Sequence, residues 1–184
     1  RQYVHDETDT RGYLSVHEIC RIGIELCCIL EYLHGYNGNG ILHMDIKPDN
    51  IMLDKDGKVK LIDYDNAVEG NAGLTVESGS PLYAAPEQYN REKAVIQSDI
   101  YSLGMVILFM VSHGHIVTDE NHKLSEISSR YSSLYHVINK SLHHEWGLRY
   151  SSVTYLKQEL QSIMNWGGGT DEKLSYIIQV AGDK

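Results

Sequence analysis

The sequence predicts an α+β fold that is mainly α-helical, built around one central buried helix with a small β-hairpin. Three observations carry this. A capped amphipathic helix opens at Ser15, a helix from Ser98 to Val111 is apolar on nearly every side, and short alternating strands flank Asp56-Gly57. Helical stretches greatly outweigh strands, and no internal repeat is evident.

Each element has a local cause. Residues 1–14 are polar and Gly-containing and read as loop or as loop with a short helix. Ser15-x-x-Glu18 is a capping box, in which each side chain satisfies a backbone N–H of the first turn. Ile19, Ile22, Leu26, Ile29, Leu30 and Leu33 follow at helical spacing, and Gly35 supplies the stop. The Gly-rich stretch 35–40 is a turn, and Ile41-Leu42 is a short extended pair. Ile51-Met52-Leu53 and Lys58 to Ile62 form a hairpin around Asp56-Gly57. Residues 63–83 lack any period and read as one long loop, which inside a compact domain is usually functional. Ser98 is expected to cap the central helix, whose missing polar face marks it as internal. Further helices are expected near Ser125–Lys140 and Ser151–Met164. Trp166-Gly167-Gly168-Gly169 reads as a linker, and residues 171–184 fit a short helix or a strand.

Composition limits the function classes. The 184 residues carry a formal net charge of −9, which argues against nucleic acid or an anionic membrane as the main partner. The longest apolar run, Ile100 to Val111, is too short to span a bilayer. The first residues lack the order of a signal peptide. The three cysteines, Cys20, Cys27 and Cys28, share one helical stretch. Their odd count and spacing suit neither a disulfide framework nor zinc, so reduced core cysteines and a cytoplasmic setting are expected. The chain lacks an initiator Met and is expected to be part of a longer protein.

The stretch Ile41-Leu42-His43-Met44-Asp45-Ile46-Lys47-Pro48-Asp49-Asn50 carries the chemistry. It holds a carboxylate, a cation and a carboxamide just before the hairpin. Asp63 follows at the end of the second strand, which brings it to the mouth of the hairpin beside Asn50. Asn50 and Asp63 there make a hard-oxygen site suited to Mg2+ with phosphate. Asp45 can accept a proton from a hydroxyl, and Lys47 can offset charge on a moving phosphoryl group.

With these residues the chain resembles the protein kinase superfamily. HMDIKPDN is similar to the catalytic loop, and Asp63-Tyr64-Asp65 stands where a metal-binding Asp-Phe-Gly is expected. Gly79 to Glu87, closing in Ala85-Pro86-Glu87, resembles the end of an activation segment. Ser98-Asp99-Ile100-Tyr101-Ser102-Leu103-Gly104 resembles the start of the central helix, and Leu148-Arg149-Tyr150 the entry to the last one. The wording is similar to bacterial Ser/Thr kinases, and the order runs unbroken from about Ser15 to Met164.

The resemblance implies roles. Asp45 is the base, Lys47 the serine/threonine-type lysine, and Asn50 and Asp63 hold Mg2+ (or Mn2+) with ATP. Met52 is either the floor under adenine or a plain core residue. Glu87 pairs with Arg149 in a buried ion pair, Asp99 accepts backbone N–H bonds around His43, Ser80 touches Asp45 and Lys47, and His43 stacks on Tyr64. Residues 1–165 are then the C-terminal lobe and 166–184 a linker and tail. No Gly-rich loop or strand lysine precedes the catalytic loop, so an N-terminal lobe in cis is missing from this segment. The implied reaction transfers the γ-phosphate of ATP to Ser/Thr hydroxyls of a protein substrate. The isolated lobe is expected to be nearly inactive and to self-associate through its uncovered apolar face.

Two positions depart from the pattern. Met44 replaces an Arg that normally pairs with an activation-loop phosphate, which implies that alanine at Thr75 or Ser78 leaves the rate nearly unchanged. Asp65 replaces the Gly of Asp-Phe-Gly, which keeps a pseudokinase or scaffold lobe open. The Ile62-Asp63-x-Asp65 phrase is similar to small-molecule phosphotransferases such as aminoglycoside kinases, while Lys47 and Ala-Pro-Glu favour the protein kinase side.

Overall fold

The computed structural model describes residues 14–70, 79–90, 93–114 and 131–166. The expectations for residues 1–13, Thr75, Ser78, Ser125 to Arg130 and 167–184 lie outside them. The elements in chain order are α1 (Val16–His34), β1 (Ile41–Leu42), β2 (Ile51–Leu53), β3 (Val59–Leu61), β4 (Val68–Glu69), α2 (Pro86–Tyr89), α3 (Ile96–Val111), α4 (Ser132–Ser141) and α5 (Val153–Trp166).

Helix α1 starts as its sequence dictates. The Ser15 hydroxyl accepts the Glu18 N–H at 3.2 Å, and Glu18 accepts the Ser15 N–H at 2.8 Å. Its buried face, from Ile19 to Leu33, joins α3 and α5 in the main core. Cys20 and Cys27 are buried there, but Cys28 is exposed. Neighbouring helical residues point about 100° apart, so Cys27 and Cys28 cannot both face the core.

Helix α3 runs through the middle, with twelve buried residues. It begins at Ile96 rather than at Ser98, and Val95 occupies the cap position in extended conformation. Ser98 is drawn away from capping: its hydroxyl donates to Glu87 Oε1 at 2.8 Å. On one side α3 meets α4, where a Cβ on Gly104 would lie 2.6 Å from that of Ser141. The Tyr131 hydroxyl donates to the Leu14 carbonyl at 2.9 Å, tying the start of α4 to the start of α1. Helix α5 runs to Trp166, so this residue is helical rather than part of a linker.

The two sheets each have two strands. β2 and β3 pair antiparallel, with Met52 opposite Lys60. β1 pairs antiparallel with β4, which sits inside the stretch expected to be one long loop. Helix α1 grips the hairpin from beneath. Arg21 donates to the Gly57 carbonyl at 2.7 Å, and Glu25 accepts the Val59 N–H at 2.8 Å. Among the described residues no helix is long and apolar enough to cross a membrane.

Candidate active site

The loop after β1 brings the polar residues of the sequence motif together. Asp45 is 5% exposed and stands between three partners. Lys47 Nζ lies 2.8 Å from Oδ2, Asn50 Nδ2 donates to the same oxygen at 3.2 Å, and the Ser80 N–H donates to Oδ1 at 2.9 Å. Lys47 also donates to the Ser80 hydroxyl at 2.6 Å, and Asn50 to the Asp45 carbonyl at 2.8 Å. Burial pushes the Asp45 carboxyl up, but the Lys47 ammonium and the Ser80 hydrogen bonds outweigh it and hold the group below the usual range. These bonds engage both oxygens of the carboxylate and fix its orientation.

The hairpin brings the backbones of Asn50 and Asp63 close together. The Ile62 N–H donates to the Asn50 carbonyl at 2.9 Å, so Asp63 is the first residue beyond that link. Asp63 is exposed and adopts φ 65°, a left-handed conformation that Asp tolerates better than most residues. Asn50 uses its amide nitrogen on Asp45, which leaves its carbonyl oxygen for a hard cation. Among the described residues no group of three or more His, Cys, Asp or Glu could hold a metal ion. Mg2+ needs only one or two such ligands when phosphate oxygens and water complete its shell, so this donor set fits it.

Met52 is 39% exposed and is therefore not a core residue. The strand period of two places it with Lys60 and Ile62 on the outer face of the hairpin. Tyr64, 45% exposed, packs its ring against His43 with centroids 4.9 Å apart. Burial lowers the His43 pKa, partly offset by the Asp99 carboxylate.

Behind the cluster, fully buried Asp99 accepts the His43 N–H on Oδ2 and the Met44 N–H on Oδ1, both at 2.9 Å. Glu87 and Arg149 meet further back, at 2.7 and 2.9 Å. Three further contacts join residues whose partnership the sequence motifs did not indicate. His34 Nε2 lies 2.9 Å from Asp99 Oδ2, Ser98 bonds Glu87, and the Gln88 amide donates to the Met44 carbonyl at 3.0 Å. Only the Arg21-x-x-x-Glu25 pair, which steadies the hairpin, carried a readable signal, its i,i+4 spacing.

The family model for the protein kinase domain matches residues 2–171. The chain belongs to the protein kinase family. Serine/threonine-protein kinase D of Synechocystis is 32% identical over 179 residues, covering 84% of this chain and 35% of its own length. Sperm motility kinase 3A of Mus musculus is 38% identical over 108 residues, 55% of this chain and 20% of its own length. A probable LRR receptor-like serine/threonine-protein kinase, PAM74 of Arabidopsis thaliana, is 36% identical over 113 residues, 59% of this chain and 13% of its own length. The chain therefore spans about one fifth to one third of the first two relatives. Family membership also accounts for a mainly helical chain with small two-stranded sheets.

Proposed function

We propose that this chain is the C-terminal catalytic lobe of an ATP-dependent Ser/Thr protein kinase. Residues 1–166 form the lobe, residues 167–184 a linker and tail, and an N-terminal lobe completes it in cis. The observation that carries the reading is the state of Asp45. It is buried, held below the usual carboxylate range and oriented through both of its oxygens.

That geometry suits proton acceptance from a protein Ser or Thr hydroxyl as it attacks phosphorus. Ser80 keeps the carboxylate oriented. Lys47, already beside Asp45, places a positive charge next to the phosphoryl group as it moves. Asn50 and Asp63 are the residues that would hold Mg2+ (or Mn2+) against the ATP phosphates. The metal supplies charge neutralisation on those phosphates. Met52 and Ile62, on the outer face of the hairpin, offer an apolar surface for adenine and for the N-terminal lobe. The setting proposed for the lobe is cytoplasmic.

The test is phosphate transfer by the full-length protein from labelled Mg-ATP to a mixed panel of Ser/Thr protein substrates and small alcohols, including aminoglycosides. Transfer to protein supports the reading. Transfer to small alcohols alone, or nucleotide binding without transfer, contradicts it. The isolated 184-residue segment is expected to turn over negligibly, since orientation of the reactants can account for about 7–11 kcal/mol of a barrier.

A further inference from the structure

Met44, the residue before the proposed base, has a conformation that needs outside support. Its φ is 66°, in the left-handed region that a side-chain-bearing residue adopts only when its surroundings hold it there. Its side chain is buried in a small apolar cluster with Leu42 and Ala94, packed by Val68 and Ile96 and separate from the main core. Both of its backbone polar groups go to buried side chains. The N–H donates to Asp99, and the carbonyl accepts from Gln88 Nε2 at 3.0 Å.

Gln88 is itself 2% exposed, and its other end is also engaged. Oε1 accepts the Ala85 N–H at 2.9 Å. One carboxamide thus joins the loop that carries Asp45 to the segment that ends in α2. A second join runs close beside it. Gly79 has φ 121°, and a Cβ there would lie 2.8 Å from Gln88 Nε2 and 2.7 Å from the Ala84 Cβ. The next residue is Ser80, which contacts both Asp45 and Lys47. The place of Ser80 against the carboxylate therefore depends on where Gln88 lets the chain pass. The join is made of neutral hydrogen bonds and apolar packing, with no ion pair at position 44.

We propose that Gln88 is a positioning residue, clasping the Met44 carbonyl and the Ala85 N–H so that Ser80 and Asp45 stay in register beside the bridge that Lys47 makes between them. This rests on the phosphotransfer reading for the role of Asp45. Gln88→Met keeps the length of the side chain and removes both polar ends. In the full-length protein it is expected to lower kcat per folded molecule about tenfold or more, with KM for ATP changed less than about twofold. Amide hydrogen exchange at Ser80 is expected to speed up in the same variant. Should Gln88→Met not fold, Gln88→Glu at pH 8 is judged by the same criteria, since it keeps the acceptor for Ala85 and loses the donor to Met44. Wild-type kcat or wild-type exchange at Ser80 in a folded variant overturns the proposal. A wild-type protein that transfers no phosphate defeats the phosphotransfer reading alone, and the Ser80 exchange then decides the clasp.

Discussion

Arg149 holds Glu87 in a fork: Nη1 donates to Oε1 at 2.7 Å and Nη2 to Oε2 at 2.9 Å, and both side chains are buried. Arg149 also donates to the carbonyls of Gln97, His143 and His144, so one guanidinium joins α2, the start of α3 and the turn before α5. Replacing Arg149 with Leu leaves the Glu87 charge buried and unpaired. We expect a loss of about 3–5 kcal/mol in urea unfolding. Arg149→Lys is expected to recover only part of it, because an ammonium cannot make the planar fork. The Glu87→Gln, Arg149→Leu double variant is expected to lose less than the sum of the two single changes.

The same pair sets the acid limit of stability. Burial alone would raise the Glu87 carboxyl, but Arg149 and Ser98 hold it below its ordinary value of 4.5. Asp45 is likewise held below 3.8. A lowered folded-state pKa means that the unfolded chain binds more protons in that window, so stability falls as pH falls. The contribution is complete above the ordinary value and is lost as pH drops through the folded-state value. Thermal melts from pH 7 to pH 3 are expected to stay level down to about 5 and to fall below it. Glu87→Gln is expected to flatten that fall; an unchanged slope would remove Glu87 as its source.

Gly104 marks the tightest approach of α3 to α4. A methyl there would lie 2.6 Å from the Ser141 Cβ and 3.1 Å from a Leu142 methyl. The Ser141 Cβ is fixed to the backbone of α4 and cannot swing aside, whereas the Leu142 methyl ends its side chain. Gly104→Ala is expected to cost about 1–3 kcal/mol by overpacking, despite its better helix propensity. Equilibrium denaturation measures this, and a stabilised variant would show that the two helices can separate at little cost.

Met44 supplies no cation at the position before Asp45. Alanine at Thr75 or Ser78 is expected to leave kcat of the full-length protein within about twofold of the wild type. Steady-state rates before and after phosphatase treatment check this, and a large loss would require a phosphate receptor elsewhere.

Some parts of the fold were legible because a short stretch of sequence causes them. Ser15 and Glu18 cap α1 within one turn, and Asp56-Gly57 closes the hairpin within four residues. The contacts around Asp45 could be anticipated only because a whole order of motifs resembles one family. What stayed hidden depends on residues far apart in the chain. β1 matches the extended pair expected at Ile41-Leu42, but β4 has two residues, too few to show a period, and forms by pairing with β1. Ser98 looked like a cap because Ser before an apolar run usually is one, but a buried carboxylate competes for its hydroxyl. His34 and Gln88 carry no local pattern, and their partners Asp99 and Met44 lie 65 and 44 residues away.

Asp45 as proton acceptor is the assignment on which the other roles at the site depend. The most direct measurement is phosphate transfer to a protein substrate by the full-length Asp45→Asn variant, with Mg-ATP binding followed by calorimetry. We predict a loss of about 10²–10⁴-fold in kcat, the range for removing a general base, with nucleotide affinity retained. Transfer at the wild-type rate by the folded, ATP-binding variant would contradict it.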